Sequence, residues 1–251
     1  MTEPFPPIRV LAAGSLRHAL PAIIEAFGEE TGLVASLSLG PAGLLRERIE
    51  GGEPFDLFAS ANMAHPHRLA ATGFAEAPTC FAHNRLCVMA RAELGLTEEN
   101  FLSVLAYPSL RIGTSTPGDD PAGDYAFEML DRVETERPGL GLKQRARQLV
   151  GGRNTPPLPP NRGSGWAITE GLVDLMVSYW SNARLSLGDP AFSIVAVPQE
   201  LAPAIDYGVA LATGAGQSPQ RLRDFLLSDR SRSILSATGF QPASPDCDPR
   251  A

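Results

Sequence analysis

The stretch "VLAAGSLRHAL" (Val10–Leu20) decides how the rest of the chain is read. With Ile8 and Arg9 before it, the run "IRVLAA" reads as a buried strand of an α/β sheet. It stops at Gly14-Ser15, and the apolar residues then recur at helical spacing, with Leu16, Ala19, Leu20, Ile23 and Phe27 on one face. Ser15 is placed to cap that helix, and Pro21, lacking an N–H, marks where it kinks or properly starts. A strand that feeds a helix through a turn with almost no side chains leaves its main chain open to a partner.

The same unit recurs along the chain. "LVASLSL" reads as a strand, after which Gly40-Pro41-Ala42-Gly43 opens the helix "LLRERIEGG". "FDLFAS", "RLCVMA" and "SLRIGTS" are further strands. The last runs into Asp120-Pro121-Ala122-Gly123, an N-cap followed by proline at the first helical position. A helix through "AGDYAFEMLDRV" follows, with Tyr125, Met129, Leu130 and Val133 on one face. Residues 134–160 are less regular, end in "NTPPLPP", and read as a surface loop. Asn161-Arg162-Gly163-Ser164 is expected to start a helix reaching about Glu170. "DLMVSYWSNA" is strand then turn, "FSIVAVP" and "IDYGVALATG" are strands, and Ser218-Pro219 caps a terminal helix. Leu222, Phe225, Leu226, Ile234 and Leu235 of that helix face the core. The alternation predicts an α/β protein with mainly parallel sheets flanked by helices.

Composition narrows the partners. The 251 residues suffice for one large domain or two ordinary ones, and 43% hydrophobic against 20% charged residues is the balance of a chain with a real core. A net charge of −7 argues against nucleic acid or an acidic membrane surface. No run approaches the roughly 18 apolar residues of a membrane span. Met1–Pro7 has no charged region followed by an apolar one, so two locations stay open: the periplasm, after loss of a leader, or the cytoplasm. His65 and His67 flank Pro66 and read as a solvated turn rather than a metal pair. Cys80, Cys87 and Cys247 show no metal-ligand spacing or disulfide framework, and read as small apolar residues with Cys247 a tail thiol.

The chemistry lies in the turns. Gly14-Ser15, Pro41-Ala42-Gly43, Pro121-Ala122-Gly123 and Asn161-Arg162-Gly163-Ser164 each open a helix with small residues. A helix N-terminus offers unpaired N–H groups and about half a positive charge, which suits an anion. Such a turn is common in α/β proteins; several gathered at the carboxyl ends of strands would be specific. Enzyme signatures are lacking. Gly163-Ser164-Gly165 is without the flanking glycines of a nucleophile elbow, and neither a P-loop nor a G-x-G-x-x-G occurs. Asp119, Asp120 and Asp124 read as capping and helix-dipole residues, and Trp166 and Trp180 as core or crevice wall.

At this point the chain resembles the molybdate-binding proteins of ABC transporters, within the type II periplasmic binding proteins. The matching pieces stand in order as "LAAGSLRHAL", "LLRERIEGGEPFDLFASAN", "NRLCVMA", "RIGTSTPGDDPAGDYAFEML", "VSYWSNA" and "DFLLSDRSRSILSATGF". "AAGSL", and "DPAG-Y" together with "Y-SNA", are the more specific elements. The resemblance implies two α/β lobes with a ligand cleft between them, lobe 1 from residues 1–84 plus 204–251 and lobe 2 from 85–203. It implies a monomeric, non-enzymatic binder without cofactor or free metal ion, which holds molybdate or tungstate through hydroxyls and backbone N–H groups and delivers it to an ABC permease. Carried over by motif, Ser15 gives its hydroxyl and N–H, Ala42 and Ala122 a backbone N–H each, Asn161 another, and Tyr179 its phenol. Ala42 departs from the pattern, since it stands where the family usually has a ligand-binding serine. That departure keeps a different small anion, or a cytoplasmic sensor, open as the alternative, and Arg162 beside Asn161 reads as solvent-facing rather than as compensation.

Overall fold

The computed structural model describes residues 6–156 and 163–243. The chain divides into two compact units, one of Met1–His83 with Asp206–Ala251 and one of Asn84–Ile205. In chain order the elements are β1 (Ile8–Ala13), α1 (Leu20–Thr31), β2 (Ala35–Gly40), α2 (Ala42–Glu50), β3 (Leu57–Ser60), α3 (Ala64–Ala71) and β4 (Thr79–Asn84). Next come β5 (Leu86–Arg91), α4 (Phe101–Leu105), β6 (Ile112–Ser115), α5 (Pro121–Glu136), α6 (Leu142–Arg145), β7 (Arg147–Val150) and α7 (Trp166–Thr169). The chain closes with β8 (Leu175–Tyr179), α8 (Trp180–Ala183), β9 (Phe192–Ala196), β10 (Ile205–Leu211), α9 (Gln217–Leu226), α10 (Asp229–Ala237) and β11 (Gln241–Pro242).

The first unit holds a six-stranded sheet in the order β11-β4-β10-β3-β1-β2, the second a five-stranded sheet ordered β7-β6-β8-β5-β9. Both sheets are mixed. β1 runs parallel to β2 and to β3, and β6 parallel to β7 and to β8. β10 lies antiparallel to β3, and β5 antiparallel to β8 and β9. The physical reason is topological. β5, β9 and β10 flank the two points where the chain passes between units, and such strands do not return through a right-handed helical crossover.

Helix α1 shows how local sequence sets an element. Pro21 sits in its first turn, where a missing N–H costs nothing, and Leu20, Ile23, Ala26 and Phe27 fill its buried face. Gly32 ends it in the left-handed region at φ 69°, with its N–H on the Gly28 carbonyl at 2.8 Å. Ser15 is not its cap. A short 3-10 turn over Gly14–Leu16 intervenes and the capping position falls on Ala19, so the hydroxyl of Ser15 is left for other work.

Other elements depart from expectation for identifiable reasons. His65 and Pro66 lie inside α3 rather than in a solvated turn, with the Asn62 side chain accepting the His65 N–H at 3.0 Å. The stretch 134–160 carries the end of α5, then α6 and β7. The terminal helix is two helices, because Ser228 caps α10 by accepting the Ser231 N–H. The helix expected from Asn161 begins only at Trp166. Cys87 is fully buried, and that burial pushes its thiol up to about 12, whereas Cys80 is half-buried; both are reduced. Cys247 lies outside the described residues.

Candidate functional site

In the first unit the parallel order β2-β1-β3 sets three strand ends side by side, with Ala13 opposite Gly40 in register. The Gly14–Leu16 turn and the Pro41–Ala42 turn are therefore neighbours. A Cβ on Gly14 would meet nothing nearer than the Gly40 carbonyl oxygen at 3.8 Å. Neither packing nor backbone conformation demands glycine there, so the protein leaves one side of this turn bare.

Ser15 is 9% exposed, and its Oγ accepts a hydrogen bond from the Tyr207 phenol at 2.8 Å. Tyr207 comes from β10 and is fully buried, with the rings of Phe240 and Phe81 edge-on at 5.2 and 6.2 Å. These contacts hold the phenol, and the phenol holds the serine rotamer. Because Tyr207 donates, the serine's own hydrogen points elsewhere. Sequence reasoning missed Tyr207. Its only signal was a tyrosine inside an apolar strand, where a buried phenol needs a partner.

Ala42 is the fully buried first residue of α2, and no side chain caps that helix. Its N–H thus belongs to the first turn, which has no helical acceptor. Two arginines stand near these turns without having been expected. Arg17 donates to the Gly14 carbonyl at 3.1 Å, and with burial it holds His18 below the usual histidine range, burial being the larger cause. Arg46, one turn along α2 from Ala42, is 7% exposed and makes long ion pairs with Glu47 (3.4 Å) and Glu50 (3.5 Å).

In the second unit β6 and β8 are parallel neighbours ending at Ser115 and Tyr179. Tyr179 is 2% exposed at the last position of β8. The turn behind it is braced by the Arg85 guanidinium 4.2 Å from the Trp180 ring centroid and by the Asn84 amide donating to Ser181 Oγ at 2.9 Å. Ala122 follows Pro121 in the first turn of α5. Its N–H, expected to face a ligand, donates to Asp120 Oδ1 at 3.2 Å, while Asp120 Oδ2 accepts from Ser115 Oγ at 2.6 Å. The other two acids also have local partners. Asp119 takes the Arg153 guanidinium at 2.6 Å and its N–H at 2.8 Å, and Asp124 accepts the Gly118 N–H at 2.8 Å. Arg153 holds the Asp119 carboxyl below its ordinary range, whereas burial raises that of Asp124.

The end of β7 closes on this turn. Thr116 Oγ1 donates to the Val150 carbonyl at 2.9 Å, and Ser115 Oγ, whose one proton goes to Asp120, lies 3.1 Å from the same oxygen. Gly151, at φ 76°, passes so near that a Cβ would fall 2.5 Å from Asp120 Oδ2 and would collide with Ser115 Oγ. Thr114 Oγ1 and Ser164 Oγ are also buried in this unit and have no hydrogen-bond partner among the described residues. Ser15 and Ala42 therefore share one edge of the first unit, and Ala122 and Tyr179 one edge of the second. Asn161 lies outside the described residues.

The chain matches the family described as bacterial extracellular solute-binding protein over residues 8–241, and it belongs to that family. Its two α/β units with mixed sheets are the fold of type II periplasmic binding proteins, and the family is one of non-enzymatic binders. An uncharacterized protein of Pasteurella multocida is 36% identical over 94% of this chain and 99% of its own. The molybdate-binding protein ModA of Escherichia coli is 26% identical over 93% of this chain and 88% of its own. Among solved structures, the periplasmic molybdate-binding protein of Azotobacter vinelandii aligns with a TM-score of 0.77 and 19% identity, covering 94% of this chain and 100% of that one. The sulfate-binding protein SubI of Mycobacterium tuberculosis aligns at 0.75 with 16% identity, covering 95% and 87%.

Proposed function

We propose that the protein captures a small tetrahedral oxyanion, molybdate or tungstate, and delivers it to an ABC permease from the periplasm. The observation that carries this reading is the Ser15 hydroxyl, fixed by buried Tyr207 beside the bare Gly14 turn. The relative in Escherichia coli, named for molybdate, adds support. The remaining donors would be the N–H groups of Ser15 and Ala42, the Tyr179 phenol, and N–H groups from Ala122 and Asn161. Hydrogen bonds to a charged group contribute about 1.5–3 kcal/mol each. Six of them at about 1.5 kcal/mol or more each exceed the ~8 kcal/mol of micromolar binding, and the surplus offsets dehydration of the dianion. Cavity size would then separate molybdate from the smaller sulfate.

A second reading rests on a specific contact. Asp120 holds the Ala122 N–H, so a dianion without hydrogens must displace a carboxylate to reach it. An anion that keeps a proton, such as hydrogen phosphate, would instead donate to that carboxylate. Ala42, with no hydroxyl, leans the same way. A thermal-unfolding panel at equal concentrations separates them. Under the first reading molybdate and tungstate raise the midpoint by about 5 °C or more and sulfate and phosphate by far less. A shift with phosphate alone favours the second reading, and no shift with any of the four refutes both.

A further inference from the structure

A separate cluster in the first unit carries chemistry that the anion site does not use. Cys80, His83 and Asp206 place one thiol, one imidazole nitrogen and one carboxylate oxygen within 4.8 Å of one another. Cys80 and His83 stand on β4 at Cys-x-x-His spacing, and Asp206 stands on β10, its neighbour in the sheet. Side chains three apart on a strand ordinarily point to opposite faces. Here the Cys80 sulfur lies 3.7 Å from the Ala82 carbonyl oxygen, which draws it along the strand toward His83. The imidazole and the carboxylate are in contact, His83 Nδ1 to Asp206 Oδ1 at 2.6 Å, with side chains 30% and 46% exposed. Residues 81, 82 and 84 of the same strand are buried, so the donors sit at the margin of the core with access to water.

We infer that Cys80, His83 and Asp206 bind a divalent transition-metal ion, Zn²⁺ being the cation that this donor set fits best. Thiolate, imidazole and carboxylate are the three zinc ligand types, whereas magnesium and calcium take oxygen sets. Zn–S near 2.3 Å and Zn–N near 2.0 Å in a tetrahedron require donors about 3.5 Å apart, so rotamer adjustments of about 1 Å complete three corners. Water takes the fourth, as the exposure of His83 and Asp206 allows. On binding, the thiol gives up its proton to solvent and the imidazole turns a lone pair to the metal, with its proton on the other ring nitrogen. His83 ends the first segment of its unit and Asp206 begins the second, so the ion would tie together the strands by which the chain leaves and re-enters that unit.

The test uses the full chain without oxyanion, with Zn²⁺ followed by calorimetry and Co²⁺ by absorption. One equivalent of Zn²⁺ should bind, weakened at least tenfold in Cys80→Ser and in His83→Gln. The Co²⁺ complex should show thiolate-to-metal charge transfer in the near ultraviolet, lost in Cys80→Ser and kept in Cys247→Ser. Wild-type protein that binds no Zn²⁺, or a Co²⁺ complex without the thiolate band, overturns the inference. So does a band that survives Cys80→Ser and disappears in Cys247→Ser. The wild-type spectrum carries the test even if a variant folds poorly. Anion affinity is not part of it, so it stands or falls apart from the oxyanion reading.

Discussion

Ser15 and Tyr207 are 192 positions apart in sequence and 2.8 Å apart in the fold. The pair separates positioning from binding: the serine offers the hydroxyl, and the phenol, held between aromatic rings, decides where it points. Tyr207→Phe keeps those ring contacts and removes only the donor. We expect it to fold normally and to weaken oxyanion binding several-fold, since the serine then loses its fixed rotamer. Titration calorimetry beside an unfolding curve checks this, and an unchanged affinity would make the hydrogen bond purely structural. The motif "AAGSL" made Ser15 legible in the sequence. Tyr207 was not legible, because a contact across the sheet leaves no local spacing to read. Asp120 was legible as a cap in "DPAG", and a cap at that position takes the N–H two residues on, which is that of Ala122.

Elements with strong periodicity were legible. "IRVLAA" and the face of α1 followed from the spacing of their apolar residues, and Pro21 marked the helix start. β4 was missed, because "TCFAHN" has neither a strict alternation nor a β-branched run, and its pairing with β10 and β11 holds it in place. β7 was missed for a similar reason, being four residues long with its first two exposed. α3 was hidden by Pro66, which is tolerated because it falls in the first turn. At this scale one ion pair fastens a strand edge. Asp174, just before β8, receives Arg111 through Nε at 3.0 Å, Nη2 at 2.9 Å and its N–H at 2.8 Å, which brings its carboxyl down to about 2. Asp174→Asn should lower the unfolding midpoint by about 3–6 °C, and a midpoint unmoved in calorimetry would mean the pair contributes nothing.

Over the whole molecule, His65 and Asp174 each add a window to the pH dependence of stability. Burial, with Arg46 and Arg68 nearby, lowers His65 from 6.5 to about 4. The unfolded chain takes up that proton near 6.5 and the folded chain only near 4, so acid favours unfolding between them. The stability from His65 is full above about 6.5 and is lost as pH falls toward 4, by up to about 2 kcal/mol after allowance for its partial exposure. Asp174 acts in a lower window, its contribution present above 3.8 and lost toward 2. His65→Gln should flatten the upper slope in denaturant titrations at stepped pH, and an undiminished slope would assign it to other groups. The division of the chain into two α/β units reflects the same economy as the site, with each unit turning the carboxyl ends of parallel strands into short, small-residue turns.

The most direct measurement is a calorimetric titration of molybdate into the wild-type protein and into Ser15→Ala. The account predicts saturable one-to-one binding by the wild type, and at least about tenfold weaker binding by the variant, the loss of a charge-assisted hydrogen bond. Equal affinities, or no heat from either protein, would contradict it.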